Sequence, residues 1–251
     1  MFEWTERGFF VIYGAVLAGG TGRRFKSSTI PKQFITIDGI PIIILTMRPI
    51  LKNKRINEIY VAVNKEWMEY TKDLFKKFFL EDDLKRIVIL DGGQERIDSF
   101  LNIMYHIVLH KGIHSDDIII YHDSVRPLTP DETVYDCIEQ TLINKLSTVV
   151  KPVTYTVLLS KDGTFLEESL DRTSLFEIHT PSGFNLELLY NECIKADKQL
   201  LRKVTCTSQL MVMLGHKVKT IVARAGDFKI TTESDLDFAT NLYKNNNQNN
   251  I

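Results

Sequence analysis

Short apolar runs rich in Ile and Val alternate along this chain with longer segments of helical period, and that alternation leaves few folds open. The runs Val11–Leu17, Glu58–Val63, Arg86–Leu90 and Asp117–Tyr121 carry few charges, as strands covered on both faces do. Between them Ile42–Lys52, Lys65–Phe79, Ile97–Leu109 and Pro130–Asn144 read as helices, with Pro130 suited to the first helical position because its missing N–H costs nothing there. Strand, helix, strand in this order is the crossover βαβ unit, so the expected class is α/β: a Rossmann-like, mostly parallel sheet flanked by helices. The 251 residues, 44% of them apolar, suffice for one sizeable core, which predicts a single domain over 1–245 and a disordered tail over 246–251, nearly all Asn and Gln.

After Lys145 the pattern changes. Val149–Leu159 and Thr164–Leu166 flank Lys161-Asp162-Gly163, and Asp-Gly tolerates the positive φ of a hairpin turn. A β-hairpin arm over about 148–178 is therefore expected to leave the main sheet. Its open edges would be covered by the same arm of a second copy, which predicts a homodimer. Helices at Leu186–Ala196 and Cys206–Leu214, a strand at Lys217–Ala223 and a helix from Glu233 to about Tyr243 follow. Charge and composition exclude other classes. With 31 Lys and Arg against 32 Asp and Glu there is no global basic field to draw nucleic acid or an anionic membrane surface. No apolar run approaches the roughly 20 residues of a membrane helix. Glu3, Trp4, Glu6 and Arg7 do not make the basic flank of a signal peptide, and three widely spaced cysteines suit buried thiols in a reducing compartment. The expectation is a cytoplasmic protein with no nucleic-acid or membrane partner.

The stretch richest in chemistry is Leu17-Ala18-Gly19-Gly20-Thr21-Gly22-Arg23-Arg24-Phe25, followed by Pro31-Lys32-Gln33-Phe34. Three glycines let main chain approach a ligand and aim N–H groups at an anion, while Arg24 and Lys32 bring full positive charges to the same loop. A P-loop would need Gly-Lys-Ser/Thr entering a helix, and that tripeptide does not occur. A dinucleotide fingerprint would want a small residue where Phe25 stands. A plain glycine-rich turn would explain the glycines but not the clustered cations. The loop reads as a polyphosphate cradle.

This loop resembles the signature of the cytidylyltransferases that join CTP to a polyol phosphate, a group comprising the methylerythritol-phosphate enzymes of isoprenoid synthesis and the ribitol-phosphate enzymes of teichoic-acid and capsule synthesis. The resemblance continues in order through Gly92-Gly93-Gln94-Glu95-Arg96-Ile97-Asp98-Ser99, His122-Asp123-Ser124-Val125-Arg126-Pro127, Arg172 with Thr180-Pro181 eight residues on, and Lys229-Ile230-Thr231. Three features resemble the ribitol branch: the eight positions from Arg24 to Lys32, Asp123-Ser124-Val125-Arg126-Pro127, and Lys229-Ile230-Thr231-Thr232 followed by Asp235-Leu236. Trp67-Met68 with Thr71-Lys72-Asp73 is similar to that branch as well. Two departures stand out. The usual Gln-Thr-Pro-Gln reads His179-Thr180-Pro181-Ser182, and Cys206 replaces the acidic residue usual after Thr205. Both are expected beside the acceptor's polyol.

The resemblance implies attack of the acceptor's phosphate on the α-phosphorus of CTP, with pyrophosphate leaving. A phosphate monoester is mostly ionised at neutral pH, its second pKa being about 6, so the nucleophile needs no general base. The enzyme must align two anions and neutralise developing charge. Arg24, Lys32, Lys229 and Arg172 are the implied catalytic cations. Leu17, Ala18, Gly19, Gly20, Gly22, Gly93, Gln94, Ser99, Asp123 and Ser124 are implied on the nucleotide, with main chain at Ala18, Gly19 and Gly93 reading a pyrimidine. Arg126 and Arg172 are implied on the acceptor phosphate, where a guanidinium grips bidentately, with Thr180 and Thr205 beside them. Arg172, beyond the hairpin, would serve the partner's site in a dimer. Asp123, at the carboxyl end of a strand, would hold Mg²⁺. His122 is expected to be a packed neighbour rather than a base. The expected function is transfer of CMP from CTP to D-ribitol 5-phosphate, giving CDP-ribitol. The alternatives are the same transfer to 2-C-methyl-D-erythritol 4-phosphate, or a non-catalytic nucleotide-binding protein.

Overall fold

The computed structural model describes residues 10–20, 30–93 and 95–248. Its strands are β1 (Ile12–Ala18), β2 (Thr36–Ile37), β3 (Ile40–Pro41), β4 (Glu58–Val63), β5 (Ile87–Asp91), β6 (Ile118–Asp123), β7 (Leu146–Pro152), β8 (Val157–Leu159), β9 (Glu168–Leu170), β10 (Phe176–Asn185) and β11 (Lys219–Val222). The helices are α1 (Ile42–Lys52), α2 (Met68–Phe78), α3 (Glu81–Leu84), α4 (Arg96–Lys111), α5 (Asp131–Asn144), α6 (Leu186–Lys195), α7 (Lys198–Lys203), α8 (Thr207–Met213) and α9 (Glu233–Gln248). Seven strands form one sheet in the order β11-β7-β10-β6-β1-β4-β5. Within this sheet all pairings are parallel except those of β10, which runs against β6 and β7, while β2 with β3 and β8 with β9 form separate antiparallel pairs.

Alternation along β1 explains the layering. Ile12, Val16 and Ala18 pack with Ile43, Met47, Phe75, Val134 and Ile138 of α1, α2 and α5 on one face. Tyr13 and Ala15 pack with Phe100, Met104, Leu189 and Leu210 of α4, α6 and α8 on the other. A strand buried on both faces needs an unbroken apolar run, and β1 and β6 have one. After β1 the chain adds β4 and β5 on one side, then returns to place β6 on the other. The carboxyl ends of β1 and β6 therefore flank a topological switch point, where open α/β sheets bind ligands. Among the described residues, no helix is long and apolar enough to cross a membrane.

The later strands differ from the sequence reading. One strand is expected over Val149–Leu159, but β7 ends at Pro152 and β8 starts at Val157. The return strand is Glu168–Leu170 rather than Thr164–Leu166. Asp162 supplies the reason: its Oδ1 accepts from the amides of Thr164 (2.8 Å) and Phe165 (3.0 Å), and Ser160 Oγ accepts from Gly163 N (2.9 Å). These bonds make a self-satisfied loop of what would otherwise be a two-residue turn. Pro130 caps α5 rather than beginning it. β10 is not legible in advance because Pro181 and Gly183 interrupt it. The sheet absorbs Pro181 at a register shift between Ile178 and Ser182. The segment carrying Lys229 is not a strand and is tied to the core by Ile230 N donating to Val125 O at 2.9 Å.

Candidate active site

Two main-chain turns and a cluster of cations meet at the carboxyl ends of β1, β5 and β6. The start of the first loop is held from below by Gln33, which is 2% exposed. Its Nε2 donates to Ala18 O at 2.6 Å and to Gly20 O at 3.3 Å. Engaging these carbonyls takes acceptors away from an incoming polyanion. Lys32, the neighbour of Gln33, donates from Nζ to Ile230 O at 2.9 Å, one residue from Lys229. The first and last segments of the family signature are thus joined through Lys32. Gly22, Arg24 and Gln94 lie outside the described residues.

The second turn packs against the first. A Cβ on Gly19 would lie 3.3 Å from Ser99 Oγ, and one on Gly93 would lie 2.2 Å from Asp98 Cβ and 2.8 Å from Ser99 N, so Gly93 admits no side chain. Ser99 is buried and both its bonds are internal: Oγ accepts from Gly93 N at 2.9 Å and donates to Glu95 O at 3.2 Å. Ser99 therefore shapes the turn rather than presenting a hydroxyl to a ligand. A capping box closes the same segment, with Asp98 Oδ2 accepting from Glu95 N at 3.0 Å, and fixes Arg96 in the first turn of α4.

Asp123, at the end of β6 and 4% exposed, is the centre of the cation cluster. Its Oδ1 accepts from Arg96 Nη2 (2.6 Å), Arg96 Nε (3.1 Å) and the Tyr121 hydroxyl (3.1 Å). Its Oδ2 lies 3.1 Å from Lys229 Nζ and 3.5 Å from Arg126 Nε. The Lys229 contact is a close ion pair whose geometry does not make a well-aligned hydrogen bond. Burial would raise the Asp123 carboxyl, but Arg96, Lys229 and Arg126 outweigh it and hold the group well below the usual carboxylate range. Burial pulls Lys229 down, partly countered by Asp123. His122 is fully buried and shares a hydrogen bond of 3.0 Å between Nδ1 and Thr180 Oγ1. Burial and then Arg126 push it down to about 3, so it is neutral at pH 7. It is a packed neighbour of Asp123, held by Thr180.

The remaining expected residues fall into three groups. Ser124 is buried, its N donating to Leu17 O at 3.2 Å and its carbonyl accepting from Thr46 Oγ1, which ties the end of β6 to β1 and to α1. Thr180 is 2% exposed, and its Oγ1 accepts from Asp123 N at 3.1 Å, so it supports the carboxylate from within the sheet. Thr205 is brought to the cluster by its carbonyl, which accepts from Arg96 Nη1 at 2.8 Å, while its Oγ1 donates to Gln209 Oε1. Arg172 is not joined to the cluster within one chain: it is exposed on the arm and donates to Thr154 O at 2.7 Å. Of the two departures, Ser182 is 1% exposed and bonded to Thr148 Oγ1 at 2.6 Å, inside the sheet rather than beside a polyol. Cys206 accepts from Gln209 N through Sγ at 3.4 Å and caps α8. Arg96 and Gln33 have no assigned role in the sequence reading. A buried acid at a strand end demands nearby cations, and that demand was the available signal for Arg96.

Several solved structures share this fold over nearly the whole chain. The 4-diphosphocytidyl-2C-methyl-D-erythritol synthase of Anaerococcus prevotii is 23% identical, with 94% of this chain and 96% of that one covered and a TM-score of 0.76. The 2-C-methyl-D-erythritol 4-phosphate cytidylyltransferase of Francisella tularensis is 24% identical, with 91% and 98% covered and a TM-score of 0.73. That of Thermus thermophilus is 22% identical, with 94% and 100% covered and a TM-score of 0.67. The family model described as IspD, 2-C-methyl-D-erythritol 4-phosphate cytidylyltransferase, matches residues 12–245. A chain with this sheet, these paired glycine turns and this cation cluster belongs to the IspD family and is a CTP-dependent cytidylyltransferase, a nucleotidyltransferase.

Proposed function

We propose that this enzyme transfers CMP from CTP to 2-C-methyl-D-erythritol 4-phosphate, releasing pyrophosphate. The observation that carries the reading is the convergence of Arg96, Arg126 and Lys229 around one carboxylate at the switch point, beside two glycine turns, with Lys32 tied to the Lys229 segment through Ile230 O. Such a site suits a displacement between anions, in which the ionised acceptor phosphate attacks the α-phosphorus while fixed cations stabilise the charge that develops. Lys229 and Lys32 act on the nucleotide's phosphates, together with Arg24, and main chain at Leu17 to Gly20, Gly22, Gly93 and Gln94 holds the nucleotide. Arg126 grips the acceptor phosphate. Thr205 borders the acceptor, and Ser99, Ser124 and Thr180 shape the pocket from behind. The acceptor follows the family description and the names of the neighbouring structures.

A second reading is D-ribitol 5-phosphate as acceptor, giving CDP-ribitol. It rests on the eight positions from Arg24 to Lys32, on Asp123-Ser124-Val125-Arg126-Pro127, on Trp67-Met68 with Thr71-Lys72-Asp73 and on the block from Lys229 to Leu236, which resemble the ribitol enzymes. In this chain that block is a helix start: Asp235 Oδ2 accepts from Thr231 N and Thr232 N, both at 2.8 Å, and Thr232 Oγ1 accepts from Asp235 N. Capping accounts for those residues without any acceptor, so the block weighs little between the two polyols. Pyrophosphate release with CTP and Mg²⁺ against each acceptor decides the matter. Turnover with methylerythritol phosphate alone is expected. Turnover with ribitol 5-phosphate alone would exchange the two readings, and turnover with neither of them nor with any other pentitol phosphate would favour a nucleotide-binding protein without catalysis.

Mg²⁺ fits as an ion brought by the nucleotide. No group of three or more His, Cys, Asp or Glu side chains able to hold a metal occurs among the described residues. Asp123 Oδ2, which faces Lys229 and Arg126, is the carboxylate oxygen that would take part, since Mg²⁺ commonly takes one carboxylate together with phosphate oxygens. When bound, the ion would screen the triphosphate's charge. Residues 1–245 act as one catalytic unit, and the arm mediates a homodimer in which Arg172 reaches the partner's acceptor site. Tyr155, Phe165 and Leu166 on the arm are 84%, 70% and 69% exposed, which favours burial against a second copy.

A further inference from the structure

The turn carrying Lys229 is built around the main chain of Asp227. Gly226 has φ +98°, and a Cβ there would lie 2.3 Å from Leu128 O. Asp227 Oδ2 accepts from Arg224 N at 2.7 Å and from Thr133 Oγ1 at 3.0 Å. Its carbonyl oxygen is shared: Arg126 Nη1 donates to it at 3.4 Å, and His179 Nδ1 lies 2.6 Å from it. His179 is the first residue of the register shift in β10, with its side chain 13% exposed and Nε2 3.7 Å from Glu177 Oε2. A carbonyl can only accept, so Nδ1 carries the proton in this contact. One imidazole N–H therefore touches the point where the turn bearing Lys229 and the guanidinium of Arg126 meet. His179 also precedes Thr180, whose hydroxyl supports Asp123.

We infer that His179 is a positioning residue that registers the acceptor-side Arg126 against the nucleotide-side Lys229 through the carbonyl of Asp227. This rests on the proposed role of Arg126 at the acceptor phosphate. Removing the N–H leaves a buried carbonyl short of its better donor and lets the 226–229 turn and Arg126 drift independently. A displacement of two anions is sensitive to the relative placement of the groups that hold each of them. The glycine turns at 19–20 and 92–93 have no neighbour in His179, so the change reaches the nucleotide through Lys229 alone and is expected to alter its affinity little.

The test compares His179→Leu, His179→Gln and Thr133→Val with Arg126→Ala. Steady-state kinetics use CTP with 2-C-methyl-D-erythritol 4-phosphate, and with ribitol 5-phosphate in parallel. Affinity for CTP with Mg²⁺ is measured by calorimetry without acceptor. His179→Leu is expected to raise the acceptor KM and lower kcat by about tenfold each, the effect of one lost hydrogen bond to a buried group, while CTP affinity stays within about twofold. His179→Gln, which keeps a donor, should restore most of the loss, and Thr133→Val, which loosens the same turn from its other side, should show the same split. The inference fails if His179→Leu leaves both parameters within about twofold while Arg126→Ala raises the acceptor KM. It fails equally if Gln is no better than Leu, or if CTP affinity collapses with the rest. An Arg126→Ala enzyme with unchanged acceptor KM would remove the acceptor-phosphate reading itself, and this inference with it.

Discussion

Asp123→Asn puts the cation cluster to its most direct test, because the substitution keeps the shape and removes the charge. In the parent, one buried carboxylate faces Arg96, Lys229 and Arg126, and the Arg126 side chain is 5% exposed. Removing one partner of a buried ion pair costs about 3–5 kcal/mol because the other charge is left uncompensated. Asn retains a carbonyl dipole, and Arg96 and Lys229 are about a third exposed and shed part of their strain to solvent, so the lower end, about 3 kcal/mol, is expected. For a chain of this length that corresponds to a melting temperature lower by about 6–12 °C at pH 7. The pH dependence has a definite direction. The folded carboxyl titrates below its unfolded value of about 3.9, so its contribution is whole above that pH and is lost as pH falls towards the folded value. Parent and variant should therefore converge below about pH 4. Melting curves from pH 7 down to pH 2.5 measure both effects. A variant that melts within about 2 °C of the parent at pH 7, or a gap that stays constant through pH 3, would refute the cluster as an electrostatic unit.

Two further outcomes concern the chemistry and the turns. Lys229→Met should lower kcat about 10²–10³-fold in a pyrophosphate-release assay while leaving the CTP KM within a few-fold, and a loss below tenfold would put Lys229 outside the transition state. Gly93→Ala forces a Cβ to 2.2 Å from Asp98 Cβ, an overpacking worth about 1–3 kcal/mol, and should weaken CTP binding at least tenfold by calorimetry; unchanged binding would mean that the 92–93 turn does not carry the nucleotide.

What the sequence discloses about this molecule follows from which interactions are local. β1, β4 and β6 can be read from their apolar runs, because a strand buried on both faces has no choice of composition. Asp123 can be read from its place after Ile118–Tyr121. β10 cannot: Thr180, Pro181, Ser182 and Gly183 read as a loop, and only pairing with β6 and β7, at separations of tens of residues, makes them a strand. The same distance hides the roles of polar residues. Thr180 and Ser182 read as ligand contacts because they are polar and lie in a motif, yet both are committed to bonds inside the sheet. Gln33 reads as a motif letter, and its function as a clamp on Ala18 and Gly20 emerges only once the loop's two ends meet. Arg96 waits on Asp123 in the same way.

The reversed direction of β10 has a consequence for how this catalyst is partitioned. Parallel strands deliver residues to the site as they exit the sheet, so everything they contribute is followed by a connection to a helix. β10 arrives from the arm, pairs with β7 over Phe176–Ile178, and contributes His179 and Thr180 at its register shift, before its pairing with β6 starts at Ser182. One rim of the pocket is thus delivered by strands leaving the sheet, and the other by the register shift of a strand on its way in, between its pairing with β7 and its pairing with β6.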